Sequence, residues 1–86
     1  MKYTVKNGYR YQADIVLTGF EVLASNERIA QKFNDAGFTS VSVIGEGSRR
    51  MATGVWSKRD ATADIPSEVE HIEMLGVTDD GGGKAI

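Results

Sequence analysis

At 86 residues the chain is one domain's worth of protein, and folding hides only about 60% of the surface its unfolded form exposes, so the core is thin. Hydrophobic residues at 41% and charged ones at 26% exclude a chain disordered over most of its length, and the absence of cysteine excludes a disulfide framework or thiolate metal site. The net charge of -2 conceals an asymmetry: residues 1–59 carry nine Lys/Arg against five Asp/Glu, a balance of +4, whereas residues 60–86 carry one against seven, a balance of -6. The acidic third is expected to shield the basic body or to be solvated.

Taken in chain order, "VKNGYRY" places Asn7-Gly8 between residues of strand character, which predicts a hairpin with a two-residue turn. Its second arm alternates Tyr9, Tyr11, Ala13, Ile15 and Leu17 with Arg10, Gln12, Asp14, Val16 and Thr18, so one face is apolar. The run "ADIVLTGFEVLA" contains Asp14 and Glu21 and has no cleavage pattern after it, so it reads as neither membrane span nor signal peptide; a cytoplasmic protein without membrane contact is expected. A helix follows at "SNERIAQKFNDAG". Ser25 caps it, Glu27 sits in its first turn, Gly37 supplies a left-handed ending, and Ile29, Phe33 and Ala36 form its apolar stripe.

"FTSVSVI" and "RRMATGVWSK" then predict two strands joined through "GEGS". A five-residue loop over residues 45–49 would pair Ile44 with Arg50, Val43 with Met51, Val41 with Thr53, Thr39 with Val55 and Phe38 with Trp56. This register expects Val41, Val43, Met51, Thr53 and Val55 beneath the helix. Phe38, Ser40, Ser42, Ile44, Arg50, Ala52, Gly54, Trp56 and Lys58 then occupy the open face. In "DIPSEVEHIEMLG" the capping pattern of Ser67 and Glu70 competes with an edge strand, and one helical turn near residues 65–68 followed by a short strand is expected. Residues 78–86 read as a disordered Gly-rich tail to a domain spanning residues 1–77.

The expected fold class is α+β, a small ferredoxin-like-related ββαββ sandwich. Its sheet is mostly antiparallel, one main helix covers one face, and a short C-terminal helical turn or edge strand closes it. No room remains between Asp60 and Pro66 for a second full helix. "YQADIVLTGF", "SNERIAQKFNDAGF" and "RRMATGVWSKRD" loosely resemble the strand, helix and later strand of SPOR-type domains, over roughly half the chain. That resemblance implies a sheet face that binds peptidoglycan glycan strands.

The function expected from these residues is non-enzymatic: a protein-interaction or assembly module whose open sheet face binds through Phe38, Arg50, Ala52, Trp56 and Lys58. Its partner is another protein or a second copy in a homodimer. Trp56 is large enough that the C-terminal segment or the N-terminal hairpin is expected to fold over it in the absence of a partner, with Ile65, Met74 or Leu75 as cover. The alternative is single-stranded nucleic acid, with Arg49, Arg50, Lys58 and Arg59 on phosphates and Trp56 stacked on a base; the sequence pI near 5.3 weighs against it. "GEG" at 45–47 joins two strands and lacks the helix of a phosphate loop. His71 among Glu68, Glu70 and Glu73 lacks convergent metal-ligand spacing, and one histidine without cysteine shows no nucleophile and base, so no metal, cofactor or catalytic residue is assigned.

Overall fold

The computed structural model describes residues 2–77; the tail expected at residues 78–86 lies outside the described residues. The elements in order are β1 (Lys2–Val5), β2 (Tyr9–Val16), a short 3-10 turn (Gly19–Leu23), α1 (Asn26–Ala36), β3 (Phe38–Glu46), β4 (Arg49–Trp56), β5 (Ala61–Asp64) and β6 (Val69–Val77). They make a small α+β structure with one α-helix and two antiparallel sheets, a four-stranded sheet of order β3-β4-β2-β6 and a two-stranded ribbon of β1 and β5. β2 and β3 both run antiparallel to β4, so the β2–α1–β3 crossover joins parallel strands with β4 between them.

The ββαββ expectation is corrected by the ribbon. Asn7-Gly8 does turn the chain, with the Tyr9 amide donating to the Lys6 carbonyl at 3.2 Å, but β1 leaves β2 and pairs with β5 from Lys2 opposite Asp64 to Val5 opposite Ala61. Gly8 has φ +84 while Asn7 keeps negative φ, so the turn lacks the two left-handed residues whose twist brings hairpin arms together. Asn7 is also held elsewhere: its side-chain amide donates to the Lys58 carbonyl at 2.8 Å, and its backbone amide to Asp60 Oδ1 at 2.9 Å.

α1 forms as its sequence dictates. Ser25 Oγ accepts from the Arg28 amide at 3.1 Å, and Gly37 ends the helix at φ +132 with its amide shared between the Phe33 and Asn34 carbonyls. Ile29 is buried and Phe33 half-buried, whereas Ala36 is exposed, so the apolar stripe stops one turn short of the expected end. Burial along β2 alternates as its pattern requires: Tyr11, Ala13, Ile15 and Leu17 are all buried. Ile15, Leu17, Ile29 and Ala52 form the core, with Val22, Ala24, Phe33, Val43 and Val69 packed around it.

The β3–β4 register differs from expectation at one end only. Phe38 faces Trp56 and Thr39 faces Val55 as expected, but nearer the turn Val43 faces Ala52, Ile44 faces Met51 and Glu46 faces Arg49. The turn is therefore the two residues Gly47-Ser48, with Gly47 at φ +67, rather than a five-residue loop. One extra β3 residue is absorbed in a bulge between Thr39 and Ser42, where Ser40 takes φ +53. Phe38 and Val43 lie an odd number of residues apart, so a regular strand would point them to opposite faces. The bulge puts both on the helix side, paired with Trp56 and Ala52.

The face assignment of β4 is thereby reversed. Arg50, Ala52, Gly54 and Trp56 are buried under the helix side, while Ile44, Met51, Thr53 and Val55 belong to the other face. Small residues on the covered side let neighbours approach closely: a Cβ on Gly54 would sit 3.3 Å from Phe38 Cβ and from Val41 Cγ2. In the C-terminal segment the chain turns at residues 66–69, where the Val69 amide donates to the Pro66 carbonyl at 3.0 Å, and then runs as a full edge strand of nine residues.

Candidate functional site

The five candidate binding residues do not form one open face. Arg50 is 7% exposed, and its guanidinium is spent on neutral oxygens. Nε donates to the Gly47 carbonyl at 3.1 Å, Nη1 to the Ala24 carbonyl at 2.8 Å and Asn26 Oδ1 at 2.9 Å, and Nη2 to the Val22 carbonyl at 3.0 Å. Val22 and Ala24 close the 3-10 turn, whose last carbonyls have no partners within it, so a cation there is favourably placed. Arg50 thus ties the β3–β4 turn to the entry of α1 and is not available to a phosphate.

Trp56 is 8% exposed and its Nε1 donates to the Arg59 carbonyl at 2.8 Å. The helix end covers it: a Cβ on Gly37 would lie 2.8 Å from Trp56 Cζ3 and 2.9 Å from Lys58 Cδ. Of the residues expected to cover it, Met74 and Leu75 are exposed. Phe38 meets Trp56 edge-on at a centroid distance of 5.0 Å, Phe33 at 5.8 Å and Tyr11 at 6.3 Å. Tyr3, from the ribbon, extends the series to Tyr11 at 6.0 Å. Each such contact adds about 0.5–1.5 kcal/mol beyond area burial. Burial first, then the neighbouring Tyr11 and Glu73, raise the Tyr3 hydroxyl above its ordinary pKa.

Between α1 and the β2–β6 half of the sheet these aromatics wall a recess. Its floor is Ala13, Ala52 and Gly54, and its walls are Tyr11, Phe33, Phe38, Val41 and Ile72, with Thr53 at the margin. The free space inside it is about 10 Å³. That is room for about one water molecule, far below the roughly 300–1,000 Å³ of small-molecule pockets, so the recess is a shallow depression and not a ligand cavity. Phe38 and Ala52 line it. Trp56 supports Phe38 from behind, while Lys58 is exposed beyond the helix end.

The cations assigned to nucleic acid are likewise divided. Arg49 pairs with Glu70 at 3.2 Å across β2, Arg50 is saturated, and Lys58 and Arg59 remain exposed on a bend where the Trp56 ring is turned inward. His71 Nε2 lies 3.2 Å from Glu73 Oε1, both exposed, and among the described residues no three His, Cys, Asp or Glu side chains converge as a metal site. Among those residues no helix is long and apolar enough to cross a membrane.

Sequence reasoning missed Phe20 and Leu23 in the 3-10 turn, which are 92% and 79% exposed. The signal was present: "GFEVL" puts Phe20 and Leu23 three apart around Val22, and only Val22 reaches the core. The turn carrying them is firmly held, by Arg50 and by the Thr18 amide donating to Glu21 Oε1 at 3.1 Å. That bond, followed by one shared with Glu68, lowers the Glu21 pKa below its ordinary value. No protein-family model matches the chain, and no curated protein or solved structure matches it.

Proposed function

We propose that the chain is a non-enzymatic protein-interaction module whose binding site is the apolar recess on the helix side of the four-stranded sheet. The observation that carries this reading is the recess itself: a shallow apolar depression with a small-residue floor and aromatic walls, bordered by exposed Met74 opposite Tyr11. The strand order supports a ferredoxin-like relation in which β5 takes the place in chain order, between β4 and β6, that a second helix would fill. Binding at the recess replaces the open-face site expected from sequence and retains two of its residues, Phe38 and Ala52.

A photo-crosslinking residue in place of Met74 tests the reading. The expected result is a covalent adduct with a protein when the chain is irradiated in its native cells, lost when Ile72→Glu places a charge in the recess wall while circular dichroism stays unchanged. Irradiation that yields no adduct, or an adduct indifferent to the charge, overturns it.

A further inference from the structure

We infer that Asn7 is a modification site: a latch whose deamidation to aspartate or isoaspartate frees the β1–β5 ribbon from the sheet and does not reverse. The chain has three asparagines, and Asn7 alone precedes a glycine; Asn26 precedes Glu27 and Asn34 precedes Asp35, all four within α1. Glycine has no side chain to screen its backbone nitrogen, so the Gly8 nitrogen reaches the Asn7 side-chain carbon at the lowest steric cost. Asn7 is exposed to the water that the reaction consumes.

Water is the only co-reactant. The Gly8 nitrogen gives up its proton and attacks Asn7 Cγ, the new C–N bond closes a five-membered succinimide, and the Cγ–Nδ2 bond breaks as ammonia leaves with the proton. Water then opens the ring. Cleavage between the Gly8 nitrogen and Cγ gives aspartate, and cleavage between that nitrogen and the Asn7 backbone carbonyl carbon gives isoaspartate. The sum is water taken up and ammonia released, with nothing oxidised or reduced.

The closed ribbon holds both reacting groups. The Gly8 amide donates to the Trp56 carbonyl at 2.8 Å, which retains the proton that must leave, and Asn7 Nδ2 donates to the Lys58 carbonyl at 2.8 Å while the Asn7 amide donates to Asp60 Oδ1 at 2.9 Å. Attack therefore waits for a local opening in which these bonds part. The same bonds make the change one-way. A carboxylate at position 7 has no hydrogen to give the Lys58 carbonyl, and it sets a second negative charge at a turn already held by Asp60. Isoaspartate also adds a methylene to the main chain of the turn. β1 is then tied to the sheet through Tyr11, by the Tyr3 ring at 6.0 Å and by the Lys6 amide donating to the Tyr11 hydroxyl at 2.8 Å.

Peptide-mapping mass spectrometry of the full chain, aged in mildly alkaline buffer with and without urea, tests this. The unfolded chain is expected to deamidate at Asn7, and the folded chain to do so at least about tenfold more slowly. Asp60→Ala, which removes the acceptor of the Asn7 amide, should raise the folded rate severalfold; Ser25→Ala, which weakens α1 away from the ribbon, should leave it unchanged. In Asn7→Asp, hydrogen exchange at the amides of Lys2–Val5 and Ala61–Asp64 should quicken by about tenfold while β2 and β4 hold theirs. Four results overturn the inference: Asn7 unmodified in both states, a folded chain that deamidates as fast as the unfolded one, a rate that Asp60→Ala leaves alone or Ser25→Ala raises as much, or wild-type ribbon exchange in Asn7→Asp.

Discussion

A guanidinium buried among four neutral acceptors, with no carboxylate on it, holds together three segments distant in sequence: the β3–β4 turn, the 3-10 turn and the helix entry. Arg50→Met keeps most of the stem's apolar contacts but leaves the Gly47, Val22 and Ala24 carbonyls without their donor. The expected cost is about 2–4 kcal/mol, measured by urea unfolding. An exposed phosphate-binding arginine would change stability by no more than about 0.5 kcal/mol, so the same experiment tells the structural role from the nucleic-acid role. Arg50 was indistinguishable from Arg49 in the sequence because they are neighbours in one strand. Strand alternation sends one to each face, and which face is covered is decided by elements elsewhere in the chain.

Among the elements, α1 was the most legible, because its cap, first-turn acid and terminal glycine act on the local backbone alone. Ser25→Ala removes the acceptor of the Arg28 amide and is expected to cost about 1 kcal/mol, read as a shift in the urea midpoint with unchanged slope. The hairpin was half legible. Both registers pair apolar residues along its length, so hydrophobic matching did not separate them; Gly47-Ser48, a recognised two-residue turn dipeptide, was the discriminating signal. The bulge at Ser40 was hidden, since a serine at positive φ has no compositional mark. The Asn7-Gly8 turn was readable, and the departure of β1 to pair with β5 was not, because that choice depends on contacts from Asn7 to Lys58 and Asp60, more than fifty residues away.

For the whole molecule, the relation of ribbon to sheet is reported by Tyr3. Its pKa is raised in the folded state, so its contribution to stability is complete below the unfolded value of about pH 10 and is lost as pH rises through the folded value. The thermal midpoint should therefore fall on alkaline titration more steeply in the wild type than in Tyr3→Phe, which cannot ionise; parallel curves would show that the Tyr3 hydroxyl is as free as in the unfolded chain. The charge asymmetry also acts at this scale. Asp64 pairs with Lys2 at 3.3 Å and Glu70 with Arg49 at 3.2 Å, so part of the acidic third does shield the basic body. Each pair is well exposed and is worth no more than about 1 kcal/mol.

By itself the sequence determined the α+β class, the helix with its boundaries, the apolar face of β2 and the exclusion of disulfide and thiolate chemistry. All of these follow from local conformational preference, side-chain periodicity or residue type. Only the tertiary structure decided which face of β4 is buried, that Arg50 and Trp56 belong to the interior, and that Phe38 and Ala52 border a recess with Tyr11, Phe33 and Ile72. A strand pattern specifies two faces without saying which one the helix will cover. That choice is made by the packing of α1 and the 3-10 turn on the sheet, where a bulge at Ser40 brings Phe38 and Val43 to the same side.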